Sequence, residues 1–123
     1  MLLVIPAVFG TACVLVPDSS GMGTHRQLGL PPCTFLNVTG LVCPQCGLTT
    51  SFALLVRGRI GEALWANPAG PVLAVMLAAV WPWLLVSVVS RRWYLSSDPA
   101  GILLKLVIGW FLLTLAQWVP RIL

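Results

Sequence analysis

Acidic residues are almost missing from this chain: Asp18, Glu62 and Asp98 are the only three among 123 residues. They stand far apart in sequence, which excludes a carboxylate pair for general acid–base catalysis. Charge of either sign is scarce, at 8%, against about a quarter in soluble domains. So few charges cannot cover the apolar surface of a water-soluble fold. The seven Lys and Arg residues occur singly or as the pair Arg91-Arg92. A nucleic-acid partner needs a basic stripe able to neutralise several phosphates, so nucleic acid is excluded. Histidine occurs once, as His25, and there is no Ser-His-Asp set, phosphate-binding glycine loop or internal repeat.

Apolar residues make up 59% of the chain, mean hydropathy is +0.97, and they come in uncharged blocks. Blocks of this kind point to a bilayer rather than to an amphipathic soluble core. The first runs over 1–16 and stops at Pro17-Asp18. As a helix it would rise about 24 Å, short of a hydrocarbon core of about 30 Å. It reads as a membrane anchor. A cleaved signal peptide is the competing reading, but the block lacks a basic n-region and a clean cleavage site. The second span is expected over 69–89, where Gly70, Ala74 and Ala78 recur every fourth residue. Small residues at that spacing let helices approach closely in lipid. Pro82 lies inside this span and should kink it. Ser96-Ser97-Asp98-Pro99 caps a third span over 100–119, in which Lys105 can snorkel to the interface. Trp118 and Arg121 mark its far end.

Residues 17–67 separate the first two spans as a cysteine loop and interfacial helices, and 17–47 of them form a stretch rich in Pro, Gly, Ser and Thr. Most of it reads as irregular. From Pro44 a short helix can begin, with Thr49, Thr50 and Ser51 satisfying its open amides. It stops at Gly58, a second short helix covers 60–66, and Asn67-Pro68 breaks the direction. These helices are too short to span and fit an interfacial position. The expected fold is therefore all-α: a single membrane domain over 1–123 with three transmembrane helices, the cysteine loop and short interfacial helices lying between the first and second.

Cys13 lies in the first block; Cys33, Cys43 and Cys46 lie in the loop. In Cys43-Pro44-Gln45-Cys46-Gly47 the two-residue spacing points both sulfurs the same way, which suits metal chelation and is a common zinc-knuckle pattern. A closed zinc site needs four ligands, and His25 is the one candidate beyond Cys33. The same pair at a helix start can be a redox couple with a lowered thiol pKa. A disulfide from Cys33 to Cys43 or Cys46 can instead brace the loop. All three readings remain open on the residues alone.

The elements Pro32-Cys33, Leu36 to Gly40, Cys43-Pro44-Gln45-Cys46-Gly47-Leu48-Thr49, Gly58, Ala63 and Asn67-Pro68, followed by two apolar spans, resemble the bacterial membrane proteins catalogued as domain of unknown function 2752. The resemblance implies the architecture above and no particular activity. Members commonly carry Arg directly after Gly-Leu-Thr, where this chain has Thr50, and some carry His three residues after the first Cys, where it has Leu36. The second departure leaves His25 as the substitute ligand if the family binds metal there.

Two classes of function follow. One is a non-catalytic membrane subunit or scaffold whose cysteine loop is a rigid docking element for a membrane protein or a second copy of the chain. The other is a membrane thiol oxidoreductase or metal-binding protein working through Cys43 and Cys46. Cations divide three against four across the membrane: Arg91, Arg92 and Lys105 against Arg26, Arg57, Arg59 and Arg121. The compact Arg91-Arg92 pair places that end inside and the cysteine loop outside, as a multi-pass protein of the cell's inner membrane.

Overall fold

Helix α3, Leu48–Leu55, is short but deeply packed: all five residues from Thr50 to Leu54 are buried. The computed structural model describes residues 2–94 and 97–123, so Met1 of the first block and Ser96 of the expected cap lie outside the described residues. Among them there is no strand. The α-helices are α1 (Val4–Val14), α2 (Thr34–Thr39), α3, α4 (Ile60–Ala66), α5 (Ala69–Ser90) and α6 (Pro99–Ile122), with a 3₁₀ turn at Thr24–Leu28.

Helices α5 and α6, with 22 and 24 residues, are long and apolar enough to cross a membrane; they rise about 33 and 36 Å. Their outer faces carry exposed Val75, Val88, Val89, Leu104, Val107 and Leu112. Helix α5 continues through Pro82 and ends at Arg91 in a left-handed conformation, φ 51°. Asp98 caps α6 by accepting from the Gly101 amide at 3.0 Å, and Pro99 fills the first turn.

Helix α1 is shorter than the apolar block suggested. It holds 11 residues and rises about 16 Å, so alone it does not cross the hydrocarbon core. It packs on α3 and α5 through Ala12, Phe52 and Ala74, with the Phe9 and Phe52 rings 5.9 Å apart. Arg57 fixes its C-terminal end. The guanidinium donates to the carbonyls of Ala12 (3.2 Å), Cys13 (3.1 Å) and Ala53 (2.7 Å), so one cation closes the last turns of two helices. At the other end, the Trp81 indole donates to the Leu2 carbonyl at 3.0 Å.

Helix α3 stops in a Schellman turn: the Gly58 amide bonds the Leu55 carbonyl and the Arg59 amide bonds that of Leu54, with Gly58 at φ +75°. The chain then folds back as α4, burying Ala63 and Ala66 against Leu54. The hydroxyls of α3 do not cap its own amides. Ser51 donates to the carbonyls of Ala63 (2.8 Å) and Asn67 (3.1 Å), and Thr50 bonds Thr24 at 2.6 Å. Both side chains face neighbouring elements, so they satisfy those elements' buried groups instead. Of the small-residue row, Gly70 and Ala74 are buried and Ala78 is exposed on the chain taken alone. A Cβ on Gly70 would overlap Ser51 Oγ, which explains the close approach of α5 to α3.

The loop over 17–47 is more ordered than its composition suggested. Gln27 closes it on the end of α1 by accepting from the Val16 amide and donating to the Val16 carbonyl. Helix α2, although it carries the β-branched Val38 and Thr39, forms because Gly40 ends it at φ +71° and Phe35 packs edge-on to Trp118 of α6, centroids 6.1 Å apart. Tertiary contact outweighs weak local propensity here.

Candidate metal centre

Cys33 precedes α2, and Cys43 and Cys46 flank a tight turn in which the Cys46 amide bonds the Cys43 carbonyl at 3.0 Å. The turn does not run into α3. Gly47 intervenes at φ +87°, and a Cβ there would stand 2.5 Å from the Ala66 carbonyl and 2.7 Å from that of Gly21. Only glycine fits that conformation in that space. The expected helix start at Pro44 therefore moves to Leu48, and the cysteine pair sits outside the helix.

This arrangement brings three sulfurs together. The Sγ atoms of Cys33, Cys43 and Cys46 all lie within 4.8 Å of one another. Tetrahedral zinc with Zn–S bonds of about 2.3 Å needs sulfur pairs about 3.8 Å apart, so the widest pair closes by at most about 1 Å. The Gln45 amide donates to Cys43 Sγ at 3.3 Å, the kind of outer bond that orients a ligating thiolate. The three thiols are half-buried, and all four cysteines including exposed Cys13 are unbridged. Three cysteines at this spacing are close enough to hold a metal ion.

Their acidities diverge. The backbone amide of Leu36 is the main influence holding the Cys33 thiol below its usual range, helped by hydrogen bonds from Cys46 and Cys43 and opposed by burial. Burial first, and the hydrogen bond with Cys33 second, push the Cys46 thiol up to about 12. The hydrogen bond between the two sulfurs adds to both shifts, because the thiolate formed first at Cys33 makes a second at Cys46 harder to form.

The backbone of the cysteine turn is gripped from two sides. The Asn67 side-chain amide, fully buried, donates to the carbonyls of Pro44 (3.3 Å) and Cys46 (3.2 Å), and its oxygen accepts from the Ala69 amide at 3.0 Å. From the last turns of α6, Gln117 donates to Pro44 at 3.2 Å, Trp118 to the Val42 carbonyl, and Arg121 to Cys46 at 3.4 Å. Asn67 appears in the sequence only as a helix breaker and Trp118 and Arg121 only as interface anchors. Nothing local signals that these residues converge on the cysteine turn from 21 to 76 positions away.

The three cysteines border a cavity of about 390 Å³ that also reaches His25, Asp18 and Met22. His25 stands outside the mutually close sulfur group, with Nε2 3.2 Å from the Pro31 carbonyl. Asp18 is turned to Ser20, whose amide and hydroxyl donate to its Oδ1 at 2.9 and 2.7 Å, and these bonds hold its carboxyl below the usual range.

Residues 33–81 match a protein family described as protein of unknown function (DUF2752). The matched stretch holds the three clustered cysteines, α2 to α4 and the first half of α5. No curated protein and no solved structure matches the chain.

Proposed function

We propose that this chain is a membrane-embedded, metal-binding scaffold in which Cys33, Cys43 and Cys46 hold one thiophilic divalent ion, zinc, and so lock the loop onto the spans as a rigid docking element. One observation carries the reading: three sulfurs from two separate segments lie within 4.8 Å of one another. A disulfide would use two of them and leave the third without a role. The loop has little apolar material of its own, and a coordinated ion offsets the entropy of ordering it. A Cys43–Cys46 redox couple lacks the helix N-terminus that would stabilise its thiolate, because both cysteines lie outside α3.

Helices α5 and α6 are the two full spans of this reading, and α1 is the third membrane segment, lying beside α5 and reaching part of the way. Arg121 contacts the cysteine turn, whereas Arg91 and Arg92 follow the opposite end of α5. The paired cations support an inside position for that end, with the cysteine loop on the outer face of the cell's inner membrane.

Metal content of the detergent-purified full chain tests the proposal. One zinc per chain is expected for the wild type and for Cys13→Ser, with loss of the metal in Cys33→Ser, Cys43→Ser and Cys46→Ser. A metal-free wild type joined by a disulfide from Cys33 would support the brace instead, and a mixture of Cys43–Cys46 disulfide and dithiol the redox couple.

A further inference from the structure

Three thiolates leave a tetrahedral ion one ligand short, and the cavity beside them offers three side chains able to fill the place. Asp18 spends Oδ1 on the amide and hydroxyl of Ser20. Met22 carries a neutral thioether, a feeble donor to a divalent ion. His25 differs from both. Its Nε2 faces the carbonyl of Pro31 at 3.2 Å, and a carbonyl can only accept, so Nε2 carries the proton. The lone pair then resides on Nδ1. A ring nitrogen that donates to a backbone carbonyl while its partner ligates is the usual arrangement around zinc-bound histidine.

The placement of the ring reinforces the point. Pro31 lies two residues before Cys33, so this hydrogen bond fastens the imidazole to the segment that delivers the first sulfur. Thr24, the residue before His25, is fully buried and bonded to Thr50 at 2.6 Å, and its hydroxyl accepts from the Asp18 amide at 3.0 Å. The backbone that carries the histidine is thus anchored to α3 on one side, while the ring stays half-buried against the cavity.

Building on the three-cysteine reading, we propose that His25 Nδ1 is the fourth ligand, giving a Cys₃His site that closes when the metal draws the ring and the sulfurs across their shared cavity. The ion then ties together three segments of the loop, around residues 25, 33 and 43–46. With three thiolates and a neutral imidazole the zinc complex carries one negative charge, and Arg26, which borders the same cavity, offsets it.

Cobalt(II) loaded into the purified full chain is the probe. The sulfur-to-cobalt charge-transfer band reports the cysteines, and the visible ligand-field bands report the whole donor set. In wild type both are expected with the pattern of three sulfurs and one nitrogen. His25→Gln should keep the charge-transfer band, shift the ligand-field bands and weaken metal affinity by at least about tenfold. His25→Cys should raise the charge-transfer intensity by about a third, as a fourth thiolate joins the three counted around zinc-type ions. Asp18→Asn should change neither band. Identical ligand-field bands and affinity in wild type and His25→Gln would overturn the assignment while leaving the three cysteines in place. An unchanged charge-transfer band in His25→Cys would overturn it even if His25→Gln failed to fold. Absence of the charge-transfer band from wild type would overturn the three-cysteine reading itself.

Discussion

Asn67 donates to the carbonyl of Cys46 at 3.2 Å, so the residue that turns the chain into the long helix α5 also holds the cysteine turn. The same amide reaches Pro44, and its oxygen receives the Ala69 amide inside the first turn of α5. The cysteine turn and the long apolar helix are therefore fastened at one buried side chain.

Asn67→Ala should leave the Ala69 amide without its partner, while the Pro44 and Cys46 carbonyls keep only the bonds from Gln117 and Arg121. The expected destabilisation is about 1–3 kcal/mol, the cost of one unsatisfied buried group. Thermal unfolding in detergent measures this. An unfolding midpoint equal to wild type would mean that the turn is held by other contacts.

Gly70→Ala should destabilise the protein by about 1–3 kcal/mol, because a methyl group there meets Ser51 Oγ and forces α5 away from α3. Ala74→Leu, at a buried site, should act in the same direction. Ala78→Leu, at an exposed site, should stay within about 0.5 kcal/mol. A large loss at Ala78 would instead reveal a second copy or another partner packed on that face.

Much of the helix layout was legible because the punctuation is chemical. Gly58 ends α3 through a Schellman turn, Asn67-Pro68 separates α4 from α5, and Asp98-Pro99 opens α6. The ordering of the loop was not legible. Helix α2 depends on Phe35 meeting Trp118, and the 3₁₀ turn depends on Thr24 meeting Thr50, contacts between residues far apart in the chain. The length of α1 was overestimated because hydropathy continues over Leu15 and Val16 after the helix has ended at Val14. At the site, the cysteine spacing announced a thiol cluster, but the separation of Cys46 from α3 rests on Gly47, which is left-handed and has no room for a side chain beside the carbonyls of Ala66 and Gly21.

The divergent thiol acidities predict an order of reactivity in the metal-free protein. Near pH 8, iodoacetamide should modify Cys33 before Cys46, because the thiolate is the nucleophile and Cys33 forms it more readily. Peptide mapping after short exposures reads the order. The raised Cys46 thiol also fixes the sign of an alkaline effect. Its proton leaves the unfolded chain first, so this contribution to stability is complete below pH 9.0 and fades as pH rises toward about 12. Faster labelling of Cys46 than Cys33 would contradict the described surroundings of both.

The two long apolar helices predict that the protein remains with membranes after an alkaline carbonate wash and is released by detergent. Western detection of the pellet and supernatant suffices. Recovery in the supernatant would remove the membrane-embedded reading and with it the role given to α5 and α6.

The central claim is that one ion sits among Cys33, Cys43 and Cys46, and zinc K-edge X-ray absorption on the purified full chain addresses it most directly. The account predicts three sulfur neighbours at about 2.3 Å and one nitrogen at about 2.0 Å. A shell of oxygen and nitrogen alone, or fewer than three sulfurs in a chain whose thiols are all unoxidised, would contradict it.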